Sequence, residues 1–213
     1  MKSHVCNDEI STLWQQFKKQ FSLTEKQLHQ FQTYCELLQD WNKKINLTAI
    51  TDSASIIADH FQDSLMVRSY IDFSTISMIA DVGTGAGFPG IPLKILYPHL
   101  SVVLIEVIQK KINFLHMVTE QLELDNCYVD SLDWRTFLRK TDYPVELFLA
   151  RASLSVDELL RMFKQSSAYH NAQLIYWASY TFSIPEYAQP LVKKDQPYTV
   201  HNKKRRYIFF RAN

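Results

Sequence analysis

Asp81, Glu106 and Arg151 are the residues whose type and setting could do chemistry in this sequence, and the first of them opens the stretch Asp81-Val82-Gly83-Thr84-Gly85-Ala86-Gly87-Phe88-Pro89-Gly90. All four glycines of the 213-residue chain lie in it. Glycine is needed where the backbone takes positive φ or where another group must come against it with no Cβ between. Ahead of the cluster, Ser77-Met78-Ile79-Ala80-Asp81-Val82 is short and apolar like a buried strand; behind it, Ile91 to Tyr97 has apolar residues at helical spacing. Strand, glycine loop and helix in that order aim the free N–H groups of a helix start into a crevice above the strand.

The flanking residues decide which ligand suits such a loop. Gly85 to Gly90 has the spacing of a phosphate loop, but Ile91-Pro92 stands where Lys and Ser/Thr would hold phosphates and Mg²⁺. Gly85, Gly87 and Gly90 also fit the dinucleotide G-x-G-x-x-G, yet Gly83 already closes the turn after the strand, and a carboxylate at Asp81 would repel a pyrophosphate. A ligand with a positive end and a ribose fits better. S-adenosylmethionine has a sulfonium, an ammonium and no phosphate, and its ribose hydroxyls call for an acceptor about 20 residues on. Leu100-Ser-Val-Val-Leu-Ile-Glu106 is a β-type run that ends in that acceptor, Glu106.

The elements that must position these residues divide the chain. Up to residue 72 the pattern is helical: 7–20 with Ile10, Leu13, Trp14 and Phe17 on one face, a second helix from Thr24 to Trp41, a polar connector over 42–48, then helices over 53–59 and 62–72. This region is expected to cap one end of a sheet. From residue 73 on, strands and helices alternate as in an open parallel sheet with helices on both faces. Strands are expected over 77–82, 100–106, 126–130, 145–150, 172–178 and 206–211, with a weaker one at 198–200; helices over 90–97, 109–122, 133–140, 155–166 and 184–190. In such sheets the ligand lies beyond the carboxyl ends of the strands, where Asp81, Glu106, Asp130 to Asp133 and Arg151 fall.

A chain this long can bury roughly 70% of its unfolded surface in one domain with an appendage. Apolar residues make up 46% and charged residues 21%, an ordinary globular balance, and the net charge of +1 leaves any nucleic-acid affinity to local patches. Cys6, Cys35 and Cys127 are scattered, odd in number and without C-x-x-C spacing, which speaks against a disulfide framework and a zinc site. No window reaches the ~18 apolar residues of a membrane span. The expectation is a cytoplasmic, monomeric protein. One charge run stands out, Lys203-Lys204-Arg205-Arg206 with Arg211 beyond it, and two readings stay open for it: a solvated rim or a set of phosphate contacts.

With these residues laid out, the chain resembles the bacterial glucose-inhibited division protein B family, the small-subunit ribosomal RNA guanine-N7 methyltransferases. Trp41-Asn42-Lys43-Lys44-Ile45-Asn46-Leu47-Thr48 is similar to the family's W-N-x-x-x-N-L-T, His60-Phe61-Gln62-Asp63-Ser64-Leu65 to its H-x-x-D-S-L, and Asp81 to Pro92 to its cofactor loop; Arg151-Ala152 falls where the family has S-R-A. The resemblance implies a class I S-adenosylmethionine-dependent methyltransferase, an α/β fold with a Rossmann-like seven-stranded sheet whose last strand is antiparallel, under an N-terminal helical cap. It implies cofactor contacts at Gly83 and Phe88, Leu132 and Asp133 beside the adenine, and Arg151 between cofactor and RNA as the catalytic residue. The basic residues Lys203, Lys204, Arg205, Arg206 and Arg211 would then contact RNA, free or in a ribosomal particle. The sequence departs from the family where Ser131-Leu132-Asp133 replaces R-A-E, where Trp177-Ala178-Ser179 replaces L-K-G, and at Glu146, where the family has aspartate.

Methyl transfer to guanine N7 removes no proton from the nucleophile, so positioning suffices and a general base is unnecessary. The sequence offers no paired-carboxylate, Ser/His/Asp or metal constellation. His60 and Asp63 read first as structural residues of the helical region. Two other functions remain open at this level: a degenerate fold that binds cofactor or RNA without turnover, and a methyltransferase with another substrate.

Overall fold

The computed structural model describes residues 2–212, with side chains from residue 8 onward. Helix α1 (Lys2–Phe21) is followed by α2 (Glu25–Ile45), whose start is fixed by a reciprocal capping box: the Thr24 hydroxyl accepts from the Gln27 N–H and the Gln27 side chain accepts from the Thr24 N–H. α2 runs on past Trp41, where a connector was expected. It stops at Asn46, which takes the left-handed conformation (φ 48°) that asparagine tolerates.

The stretch expected as two helices is one unbroken helical run. It consists of α3 (Ser53–Ser55), a π-helical stretch Ile56–Gln62, α4 (Asp63–Leu65) and a 3₁₀ turn Met66–Ser69. π-helical geometry is rare and concentrates at functional sites. Here it carries Asp59 and His60, both of which bond to residues of the sheet.

The sheet has seven strands: β1 (Met78–Val82), β2 (Ser101–Ile105), β3 (Cys127–Asp130), β4 (Leu147–Arg151), β5 (Gln173–Ser179), β6 (Val192–Val200) and β7 (Lys203–Arg211). Their order is β3-β2-β1-β4-β5-β7-β6, parallel except for β7, which is antiparallel to both neighbours. Between them lie α5 (Gly90–Leu96), α6 (Gln109–Gln121), α7 (Trp134–Lys140) and α8 (Val156–Leu159). The helix expected over 155–166 shortens to α8 plus a 3₁₀ turn Leu160–Phe163, and the one over 184–190 is the 3₁₀ helix Glu186–Leu191. The weak strand at 198–200 is the end of the nine-residue β6. Its polar residues and Pro197 hid it, and both are tolerated because β6 is an edge strand.

Alternation along the strands builds two cores. Ile79, Val102, Leu104, Leu147, Leu149, Ile175, Tyr207 and Phe209 face one side, and Ala80, Val103, Phe148, Leu174, Ile208 and Phe210 the other. The first core is continuous with Trp14, Phe17, Phe31, Tyr34 and Phe61 of the helical cap, so cap and sheet share one apolar interior. Polar anchors reinforce the join. Gln27 donates to the carbonyls of Ile95 and Leu96 at the end of α5 (2.9 and 3.1 Å), and Gln30 donates to Leu122 O at the end of α6 (2.7 Å), satisfying helix-terminal carbonyls that would otherwise lack partners.

Candidate active site at the ends of β1, β2 and β4

The strand order reverses between β1 and β4, and the glycine loop sits at that reversal. Its four glycines are required for different reasons. A Cβ on Gly83 would lie 2.6 Å from Ser153 Cβ, one on Gly87 2.4 Å from Ile91 Cδ1 and 2.8 Å from the Tyr34 hydroxyl, and one on Gly90 2.7 Å from Leu104 Cδ2. Gly85 differs: its φ is +64°, yet nothing lies within 4 Å of a Cβ there. Three glycines are walled in by protein, and the fourth opens onto free space.

Two carboxylates hold this loop. Asp81, fully buried, accepts from the Thr84 hydroxyl (2.6 Å) and the Gly90 N–H (2.8 Å) through Oδ2, while Oδ1 is buried without a partner. Burial raises its pKa to about 6, against the opposing pull of those two hydrogen bonds. Glu106 accepts from the Val107 and Ile108 N–H groups through Oε1 (both 2.9 Å) and from the Gly85 N–H through Oε2 (3.0 Å). Beside it Val107 and Ile108 expose apolar side chains to solvent.

From the other side the cap grips the same loop. The buried Tyr34 hydroxyl donates to Ala86 O, and its ring stacks on Phe88 at 5.3 Å. Burial holds that phenol protonated, well above its ordinary pKa. His60 stacks on Phe88 at 4.4 Å and 10°, and the Arg151 guanidinium lies 5.1 Å from the centre of the same ring. Behind His60 the polar connector has a defined shape. The Asn42 amide donates to Thr48 O and accepts from Thr48 N–H (both 2.8 Å), and the Thr48 hydroxyl then meets His60 Nε2 at 2.9 Å. The W-N-x-x-x-N-L-T and H-x-x-D-S-L segments are therefore two halves of one clamp on the cofactor-type loop.

Arg151, at the last position of β4, is nearly buried. It donates to Asp63 Oδ2 (3.0 Å), Asp59 O (3.3 Å) and His60 Nδ1 (3.2 Å). Asp63, fully buried, also accepts from Arg205 (3.2 Å) and the Tyr198 hydroxyl (2.6 Å), and its carbonyl from Trp177 Nε1 and the Tyr207 hydroxyl. Asp59 accepts from Lys203 (2.6 Å) and His201 (3.3 Å). Burial works to raise Asp59, but the bonds from Lys203 and His201 outweigh it and leave the carboxyl below its ordinary pKa.

The structure thus brings Asp81, Gly83, Gly85, Gly87, Phe88, Glu106 and Arg151 together. Leu132 and Asp133 follow β3, but the Asp133 carboxylate is turned into its own helix, accepting from the Thr136 N–H (3.1 Å) and hydroxyl (2.7 Å) as the cap of α7. The basic run is not one patch. Strand alternation sends Lys203 and Arg205 toward Asp59 and Asp63, while Arg206 pairs with Asp195 (3.1 Å) and Lys204 lies over the Tyr180 ring; Arg211 is exposed at the far end of β7. Tyr34, Asp59, Tyr198 and Tyr207 had no motif to single them out. His60 and Asp63 carried a signal in H-x-x-D-S-L, but their partners sit on strands distant in sequence. Among the described residues no group of His, Cys, Asp or Glu is placed to hold a metal ion, and no helix is long and apolar enough to cross a membrane. Cys35 and Cys127 are free thiols whose burial lifts them to about 11 and 12; the Cys6 side chain lies outside the described residues.

A seven-stranded sheet in this order, with only β7 antiparallel and a glycine loop at the reversal, defines the class I S-adenosylmethionine-dependent methyltransferase fold. Human methyltransferase 10 domain containing protein superposes with a TM-score of 0.60 at 15% identity, covering 87% of this chain and 96% of that one. M. capricolum TrmK, solved with S-adenosyl-homocysteine, gives 0.56 at 14% identity over 71% of this chain and 68% of its own. Residues 27–205 match the model of the GidB family, rRNA small subunit methyltransferase G, and the chain belongs to that family. The ribosomal RNA small subunit methyltransferase G of Macrococcus caseolyticus is 46% identical over 121 residues, which is 57% of this chain and 51% of that relative's length. The matched part is thus about half of that protein.

Proposed function

We propose that this chain is an S-adenosylmethionine-dependent methyltransferase that modifies N7 of a guanine in small-subunit ribosomal RNA, in the cytoplasm and as a monomer. The observation that carries the reading is the loop at Gly85: an open, positively twisted backbone position held by Glu106 and lying in a family matched over residues 27–205. The residues present suit the cofactor. Asp81 Oδ1 and Ser153 Oγ are buried polar atoms without partners, one before and one against Gly83, as a polar ligand end would require. Glu106 would take the ribose, whose hydroxyls compete with the Gly85 N–H for Oε2, and the exposed Val107 and Ile108 offer an apolar seat for the base.

The cofactor supplies an electrophilic methyl group. The guanine, swung out of its stack, brings an in-plane lone pair at N7 with no proton to lose, so what the chain must do is align and exclude water. His60 fits that division of labour: burial, then the charge of Arg151, push its pKa down to about 3, so at neutral pH it neither gives nor takes a proton and serves as a wall. Arg151 brings a fixed positive charge to the strand end beside Phe88.

The test is transfer from methyl-labelled cofactor to small-subunit particles and to naked ribosomal RNA, with the product digested and identified by mass spectrometry. Label on 7-methylguanosine is expected. Label on another nucleoside removes the N7 assignment, and cofactor binding with no label leaves only a binding protein.

A further inference from the structure

On the face of the sheet away from the cap, a groove of about 960 Å³ runs between the end of α7 and the segment 161–168 that leads to β5. Arg135, Arg139, Lys140, Arg161 and Lys164 line it, with Asp142 the one acidic residue among the lining side chains. Glu158 pairs with two of the cations, Arg135 (2.6 Å) and Arg161 (3.0 Å). The other three are uncommitted. Arg139 bonds only to Arg135 O and the Thr136 hydroxyl of its own helix, and Arg139, Lys140 and Lys164 are all exposed, with no carboxylate within ion-pair distance among the described residues. This contrasts with the run at 203–206, where Lys203, Arg205 and Arg206 each hold an aspartate.

Resting on the reading that the substrate is an RNA, we infer that this groove is a second RNA-backbone site, separate from the methyl-transfer crevice. Its cations match a polyanion, and Ser166 and Ser167 add hydroxyl groups of the kind that contact phosphate. The groove flanks the carboxyl end of α7, whereas the crevice lies at the strand ends next to its amino end, and a seven-residue helix is about 10 Å long. A nucleotide held in the crevice does not reach the groove, so the groove grips RNA that flanks the target guanine. RNA that extends from the crevice over α7 gains these contacts, and RNA too short to do so does not.

The experiment compares wild type with the triple variant Arg139→Gln, Lys140→Gln, Lys164→Gln, measuring affinity for a long small-subunit ribosomal RNA fragment and for a short stem-loop carrying the target guanine, each across a salt series. The expected result is a five- to fifty-fold loss for the long RNA, a slope of log affinity against log salt reduced by roughly 2, from ~0.7–0.9 per phosphate contact, and little change for the short one. S-adenosyl-homocysteine binding, unchanged in the variant, certifies the fold. Unaltered affinity and slope for the long RNA overturn the proposal, as does a wild type that binds no RNA. Because affinity alone is read, an absence of methyl transfer in wild type defeats the function proposed above without deciding this one.

Discussion

His60 Nδ1 lies 3.2 Å from Arg151 Nη2, and a guanidinium only donates, so His60 must accept there and carry its proton on Nε2, from which it donates a hydrogen bond to the Thr48 hydroxyl 2.9 Å away. One neutral tautomer is selected by its two neighbours. A chain of contacts therefore runs from Asn42 at the end of α2, through Thr48 and His60, to Arg151 at the end of β4.

Arg151→Ala is expected to leave the chain folded, because Asp63 keeps Arg205 and Tyr198 as donors, yet to lower methyl transfer at least tenfold, about 1.4 kcal/mol of barrier. Arg151→Lys keeps a charge but cannot reach Asp63, His60 and the Asp59 carbonyl together. It is expected to fall near the alanine variant in turnover at saturating cofactor. Wild-type turnover in either would deny Arg151 its role.

Single alanines in the glycine loop separate two kinds of glycine. Gly85→Ala meets no neighbour and carries only the left-handed strain, roughly 1–2 kcal/mol, so it should fold and bind cofactor poorly. Gly87→Ala meets Ile91 and Tyr34 and should lose more stability than that. Denaturant titration alongside calorimetry with S-adenosyl-homocysteine checks both, and equal stability losses would contradict the assignment of open space to Gly85.

Tyr34→Phe removes one hydroxyl and leaves the ring stacked on Phe88. The buried Ala86 carbonyl then loses its donor, for a destabilisation of about 1–3 kcal/mol. Amide exchange over residues 83–90 should rise more than elsewhere, since the cap's polar hold on the loop is what has been cut.

Lys203→Gln and Lys204→Gln should behave differently despite adjacency. The first takes the lysine's charge from the buried Asp59 carboxylate, which keeps His201 as a partner, for roughly 1–3 kcal/mol of lost stability. The second removes an exposed charge near Tyr180 and should alter only the salt dependence of RNA binding. Identical thermal shifts for the two would refute the division of the run between two faces.

Acid stability contains opposing contributions from His60 and Asp81. The folded pKa of His60, about 3, is below the unfolded ~6.5, so the unfolded state binds the extra proton between those values and stability falls as pH falls through that window. For Asp81 the folded value, about 6, is above the unfolded ~3.9, so its contribution is fully present below pH ~4 and is lost as pH rises through 6. Asp81→Asn is therefore expected to gain stability relative to wild type on going from pH 4 to pH 7.5. A difference in melting temperature that is constant across pH would show that Asp81 titrates normally.

Composition and local pattern determined much of this protein. Four glycines confined to 83–90, between an apolar strand and a helical spacing, disclosed the loop, and alternation of strands and helices after residue 73 disclosed the sheet, because these are properties of neighbouring residues. Asp81, Glu106 and Arg151 were legible as strand-end residues for the same reason. Local pattern failed at the edge strand β6, where Pro197 and four charged or amide residues read as loop until β7 supplies hydrogen-bonding partners. It failed again at 203–206, where a contiguous run of cations is divided by the pleat between Asp59 and Asp63 on one side and Asp195 on the other. His60, Asp63 and Tyr34 take their meaning from residues up to 144 positions away, which they meet because a shared apolar core draws the cap onto the sheet. Hydrophobic burial is non-directional and long-ranged in sequence; it chose which polar groups were brought face to face, and no spacing in the chain records that choice.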